Sequence, residues 1–356
     1  MRPTVTTRTR ASGIAAAVAI LLVLVGLALP AIAGRGVIKD LFFILTMLTL
    51  AQYWNLLAGY GGLVSVGQQA FVGLGGYGLF GAAIAWGMDP VLALPLGGLF
   101  ALAVALPTAF FAFRLAGAYF AIGTWVVAEI VRLSVAQWKA VGGGTGTSLP
   151  RDVQTDMAGT ALVEKLFGVR SAAAQDILAY WLALVLAVLT IGGIYLLLRS
   201  KSGLALAAVR DNAEAARSVG VDARRMKWMV FLAAAFGTGL AGALIYLQKG
   251  RISPDAAFSV TDWTAYVVFI VVIGGIGTVE GPILGILVFY ILQTLFADYG
   301  STYLLALGLI GILVMLFAPR GLWGAISSGT GLQFFPIRRR VEMTGAAPGA
   351  GARKPG

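Results

Sequence analysis

Residues 177–198 read ILAYWLALVLAVLTIGGIYLLL, 22 positions without one charged side chain. Crossing the hydrocarbon core of a bilayer takes roughly 20 apolar residues. Such a run must be helical, because backbone groups facing lipid find no water and have to pair within their own segment. Outward from this stretch the pattern repeats. Ten spans are read, at about 14–33, 38–58, 63–86, 90–113, 117–138, 177–198, 228–248, 263–279, 282–298 and 302–317. The composition agrees: 59% of the chain is hydrophobic and 12% charged, where a soluble domain is about 45–50% apolar and about 25% charged. The expected fold is an all-α integral membrane protein of about ten transmembrane helices, one of them broken or glycine-rich. Residues 1–13 are expected to form a cytoplasmic N-terminal tail, 14–324 the transmembrane domain and 325–356 a cytoplasmic, disordered tail.

Lys and Arg set the orientation. With the N-terminus inside, the inside segments hold 17 of these residues and the outside segments 8, with Arg132 left within a span. Both termini are therefore expected on the cytoplasmic side, with the 139–176 loop outside and a short helix near 160–168. The net charge of +11 belongs to the inner surface, facing anionic headgroups and partners. It is not a nucleic-acid footprint. Residues 1–33 also allow a signal-peptide reading, with Ala31-Ile32-Ala33 as the cleavage site; residue 34 lands outside either way. The end of the chain, GAAPGAGARKPG, cannot bury a core and is expected to be disordered.

Cysteine and histidine are both absent. That excludes disulfides, thiol nucleophiles, imidazole acid/base chemistry and the usual zinc or haem ligands. No G-x-x-x-x-G-K-[ST] occurs, so ATP has no P-loop here. No catalytic residue and no metal site is expected.

Residues 59–81, GYGGLVSVGQQAFVGLGGYGLFG, carry nine glycines. Glycine allows close helix approach, and it allows a helix to break where neighbours satisfy the freed backbone. Ser65, Gln68 and Gln69 add neutral hydrogen-bonding groups. Two readings stand: a break beside a translocation path, with Gly61, Gly62, Ser65, Gln68, Gln69 and Gly73 as its candidates, or tight packing alone. Glu129 and Arg132 lie at i,i+3 on one face of the fifth span. Charges at membrane depth pair or face a cavity, and an internal pair that fixes packing is the expected role, with a contact to a zwitterionic solute as the sharper alternative. GGIGTVEGP (274–282) reads as a tight inside turn, and APRGLWG (318–324) closes the last span.

Residues 207–228, AAVRDNAEAARSVGVDARRMKW, form a compact polar segment between two apolar spans. Asp211 and Glu214 have capping-box spacing, and Gly220 is a natural stop. The two-turn helix between them is too short to stand alone. Its Ala213, Ala216 and Val219 face, rimmed by Arg217 and neighbouring cations, suits a groove on another protein. The other reading is an amphipathic loop lying on headgroups, which the basic content allows and the weak apolar face argues against.

Five stretches together resemble the permease subunit of a branched-chain amino acid ABC transporter, of the LivM type, over about residues 40–324. They are NLLAGYGGLVSVGQQAFVGLGGY (55–77), RLAGAYFAIGTWVVAEIVRL (114–133), AAVRDNAEAARSVGVDARRMKWMVFLAAAFGTGLAGAL (207–244), GGIGTVEGPILG (274–285) and LFAPRGLWG (316–324). The resemblance implies a type II-importer-like bundle with no chemistry of its own. It also implies a second, LivH-like permease subunit, two cytoplasmic ABC ATPases that bind the ATP, and a periplasmic solute-binding protein. The 207–228 segment would couple to an ATPase through Asp211, Ala213, Glu214, Ala216, Arg217, Val219 and Gly220. Two positions depart from the family pattern: Gln69, where a small residue is more usual, and Ala118, where an acid is common. They bear on substrate, not on family. The implied solute is Leu, Ile or Val, or a related small amino acid or amide. Two rival classes remain. An ion-coupled secondary transporter or channel would show several intramembrane acids along an ion path, where this chain offers the paired Glu129. A membrane enzyme would need nucleophiles or acid/base groups clustered at one interface, a cluster the sequence does not show.

Overall fold

The computed structural model describes residues 2–6, 10–150, 153–154, 157–296, 302–337 and 340–344. A strand, β1 (Arg2–Thr6), precedes α1 (Arg10–Ala28). Helix α2 (Arg35–Asn55) runs into a π-helical turn at Leu56–Tyr60. Then come α3 (Gln68–Trp86), α4 (Pro90–Ala112) and α5 (Ala118–Ala136). The following loop holds β2 (Thr147–Ser148) and α6 (Thr160–Phe167), the short helix expected there. Helix α7 (Ser171–Arg199) leads to α8 (Lys201–Asp211), α9 (Ala213–Ser218) and α10 (Ala223–Lys249). After β3 (Arg251–Ile252) and one turn of helix, α11 (Pro254–Ala257), a π-helical stretch at Thr261–Ala265 passes into α12 (Tyr266–Gly274). The chain closes with α13 (Glu280–Leu295), α14 (Thr302–Phe317), α15 (Gly321–Thr330) and β4 (Arg340–Thr344).

Eight helical stretches among the described residues are long and apolar enough to cross a membrane. Two further expected spans fall outside that set. Helix α13 has 16 residues, and α3 has its hydropathy diluted by five glycines and two glutamines. The count of ten is thus approximate, but a helix makes up the greater part of every expected span.

The centre of the bundle is α3, α4 and α10. They meet through glycine. Gly75 lies against the backbone of Gly239, Gly97 against the carbonyl of Gly75, and Gly242 against Val72, leaving no room for a Cβ at any of the three. Between apolar helices in lipid this close backbone approach is a main source of association. Around it Trp54, Tyr77, Phe80, Phe231 and Phe289 are fully buried. Helix α1 is peripheral: 6% of its span is buried, against 78% for α10. It is held to α7 where the Tyr180 hydroxyl donates to Gly26 O at 2.9 Å and Trp181 Nε1 to Leu27 O at 3.2 Å.

One end of the bundle is tied by loop contacts. Asp89 caps α4, accepting from Val91 N and Leu92 N, while its other oxygen takes the Ala158 N–H at 2.6 Å. Strands β2 and β3 pair antiparallel, and Asp176 at the start of α7 takes Arg35 from the start of α2. Strands β1 and β4 also pair antiparallel, with Arg2 opposite Thr344.

Ordered chain runs past the boundary expected at residue 325. Helix α15 continues to Thr330, and the backbone N–H groups of Phe334 and Phe335 donate to Glu280 Oε1 at 3.1 and 2.9 Å. The buried Glu280 carboxylate needed donors, and the returning chain supplies them. Residues 345–356, GAAPGAGARKPG, lie outside the described residues.

Candidate functional site

The helix that begins as α2 does break, at the glycines. Gly61 N donates to Leu56 O at 3.0 Å and Leu63 N to Leu57 O at 2.9 Å, closing the π turn. Gly62 then takes φ +66°, a left-handed conformation that favours glycine. From Gly61 to Gly67 the chain is not helical, and burial alternates: Gly61, Leu63, Ser65 and Gly67 inward, Gly62 and Val64 outward. The freed backbone groups find partners. Ser65 O accepts from Trp54 Nε1 at 2.8 Å, Val66 N donates to Thr124 Oγ1 on α5 at 3.1 Å, and Gly67 N to Ser65 Oγ at 3.2 Å.

A second irregular segment, 275–279, is clamped against the break. Asn55 donates through Nδ2 to Thr278 O and accepts at Oδ1 from Gly277 N, both at 2.8 Å. Gln52 Nε2 donates to Val279 O at 2.8 Å. Arg210, at the end of α8, donates from Nη1 to Gly59 O at 2.6 Å. One knot therefore joins the π turn, the turn before α13 and the polar segment that starts at residue 207. Gln52 and Asn55 were not singled out from sequence; their signal was two amides at i,i+3 in an apolar span.

The candidate path residues divide. Ser65, Gln68 and Gln69 are all buried. Gln69 is held by Thr264: its N–H donates to Thr264 Oγ1 at 3.3 Å, and the Thr264 hydroxyl donates to its side-chain oxygen. Both amide atoms of Gln68 are buried without a partner, a costly state for a polar group. Gly61 packs on Leu57 O and Val230, and Gly62 stands beside Arg210. Gly73 is apart from these, filled against by the ring of Phe258. The cavity at Ser65, Thr108 and Thr124 holds about 10 Å³, at most one water. Of the six candidates, Ser65 is the one that lines this cavity.

The polar segment folds differently from its sequence reading. Asn212, not Asp211, caps α9: its Oδ1 accepts from Glu214 N and Ala215 N at 3.0 Å each. Asp211 ends α8 and lies 3.7 Å from Arg210 Nε. Gly220 stops the helix at φ +86°, as expected, and Asp222 caps α10 by accepting from Arg225 N at 3.0 Å. The expected docking face is not free. Ala216 is buried against Val209 and Ala223, with Ala213 partly covered, while Val219 is 76% exposed. An alanine face that small packs on the chain's own α8 and α10 first. The open side of α9 carries Glu214, Ala215, Arg217 and Ser218.

Glu129 and Arg132 pair, at 2.6 Å, but they are not internal. Their side chains are 47% and 26% exposed, and Arg132 Nη1 also bonds Asp255 on α11 at 2.8 Å. Asp255 follows the span in sequence, so only folding brings it near. The pair shares its face of α5 with exposed Tyr119, Ile122, Val126 and Leu133.

The sequence matches the family described as the branched-chain amino acid transport system / permease component over residues 36–318. It is 30% identical to the high-affinity branched-chain amino acid transport system permease protein LivM of Escherichia coli (strain K12), over 85% of this chain and 73% of that protein. The LivM of Salmonella typhimurium matches to the same extent. A xylose transport system permease, XylH of Escherichia coli (strain K12), is 29% identical over 29% of this chain and 27% of its own length. No solved structure matches.

Proposed function

The chain belongs to the family of branched-chain amino acid transport permease components, and from that membership we propose that it moves Leu, Ile, Val or a related small amino acid or amide across the membrane. It is a multi-pass transport subunit of an ABC importer. ATP is hydrolysed on separate cytoplasmic ATPases, a second permease completes the pathway, and a periplasmic binding protein delivers the solute. Both termini lie in the cytoplasm, on the side of the 207–228 segment.

The observation that carries this reading is the extent of the match. It runs from α2 through α14, every expected span but the first, rather than one motif. The geometry supports the division of labour. Val64 and one face of α5 are exposed on the single chain, and solute passes where they meet the second permease. Charges on that face are tolerated because protein and solute, not lipid, cover them.

Uptake into vesicles tests it. The chain is reconstituted with the permease, ATPases and binding protein encoded beside it, and labelled leucine is supplied with the binding protein. Uptake should require ATP and survive collapse of ion gradients. Uptake driven by a proton or sodium gradient without ATP would contradict it.

A further inference from the structure

We propose that the cleft between the end of α4 and the start of α10 binds the phosphate of an anionic phospholipid headgroup. The cleft has a volume of about 530 Å³ and is lined by four cations, Arg114, Arg217, Arg224 and Lys227, and by no acid. None of the four takes part in an ion pair among the described residues. Asp222, two residues before Arg224, caps the Arg225 N–H and does not line the cleft. Four like charges around one hollow repel each other, and a bound anion relieves that repulsion.

The walls say what carries the anion. Phe113 and Trp228 line the cleft with ring centroids 5.6 Å apart, and the Arg114 guanidinium lies 4.7 Å over the ring of Phe110. Phe110 ends a stripe on α4: Leu92, Leu99, Leu106 and Phe110, exposed by 66, 49, 46 and 47%. Their spacings of seven, seven and four place them on one helix face. Arg114 follows in the turn after α4, with its guanidinium over the Phe110 ring. The apolar stripe therefore leads into the cationic hollow. Acyl chains lie against the leucines, the aromatic side chains sit at the membrane–water boundary where such rings concentrate, and the phosphate reaches the cations. A soluble anion would have no use for the stripe. Because Arg224 and Lys227 begin the helix that follows α9, the lipid also pins the polar segment to the membrane surface.

The inference stands apart from the transport reading, since its test needs no transport. Full-length protein in detergent is stripped of lipid, then offered phosphatidylglycerol or phosphatidylcholine, and retained lipid is measured by native mass spectrometry. The protein should retain phosphatidylglycerol preferentially. Arg114→Gln and Lys227→Gln should each weaken that retention about fivefold, with phosphatidylcholine unaffected, and Arg114→Lys should restore it. Thermal unfolding equal to wild type keeps a folding defect from imitating the result. Equal retention of the two lipids, or equal retention by the Gln variants, would overturn the proposal. So would displacement by inorganic phosphate without lipid preference, which would make the site one for free phosphate. Loss of a partner ATPase from the assembly with lipid retention unchanged would assign the cleft to protein instead.

Discussion

Arg210 Nη1 donates to the carbonyl of Gly59 from 2.6 Å, so the polar segment and the broken helix share a hydrogen bond across 151 positions of sequence. The Gly59 carbonyl sits in a π turn, where the helical ladder is already disturbed. An arginine there fixes a backbone group of the break to the element expected to meet the ATPase. Asn55 and Gln52 extend the knot to residues 277–279.

The Asn55 clamp gives a stability prediction. Asn55 is fully buried and satisfies one N–H and one C=O of the 277–278 turn. Asn55→Ala strands both groups, at about 1–3 kcal/mol each. Thermal unfolding of the purified chain should shift down by several degrees. Asn55→Asp should also destabilise, because a carboxylate can accept from Gly277 N but repels the Thr278 carbonyl.

The two faces of α9 should separate by mutation. Ala216 packs on Val209 and Ala223 inside the chain, so Ala216→Trp should lower the chain's own stability by about 1–3 kcal/mol through overpacking. Ala215 is exposed. Ala215→Trp should leave unfolding unchanged and release the ATPase during co-purification. Retention of the ATPase by Ala215→Trp with wild-type hydrolysis would show that the open side of α9 is not the docking face.

The Glu129–Arg132 pair should matter little to the isolated chain. Partly exposed pairs contribute about 0–1 kcal/mol, and Asp255 remains to hold Arg132. Glu129→Ala should therefore unfold within a degree or two of wild type, while lowering uptake in the full assembly, where the face is covered. A large loss of stability in the chain alone would return the pair to the buried role read from sequence.

The sequence made the helices legible because lipid leaves the backbone one option, and the break legible because glycine clusters so densely at 59–81. The charge pair was legible as a pair, from its i,i+3 spacing. Its surroundings were not, since Asp255 reaches Arg132 from 123 residues away. The capping of α9 was misread by one residue: Asp211 has the capping-box spacing, but α8 runs on to residue 211 and leaves Asn212 as the first extended position. The Ala216 face was misread for a related reason. Small residues fit a partner's groove and the chain's own helices equally well, and periodicity does not say which is nearer.

Orientation is open to labelling, because the chain has no cysteine. Ser148 in β2 and Ser218 in α9 are both exposed. With Ser148→Cys or Ser218→Cys introduced singly, an impermeant thiol reagent on intact cells should label position 148 and not 218. The opposite pattern would invert the topology inferred from the 17 and 8 basic residues of the two sides.

The link through Arg210 is tested by Arg210→Gln in the reconstituted assembly, with ATP hydrolysis and leucine uptake measured together. The side chain is 45% exposed, so the change should leave folding and ATPase retention intact. What it removes is a charge-assisted bond to the break. The expected result is hydrolysis near the wild-type rate with uptake reduced at least about tenfold, the effect of losing roughly 1.5–3 kcal/mol of coupling. Uptake and hydrolysis both at wild-type levels in Arg210→Gln would contradict transmission through the Arg210–Gly59 bond.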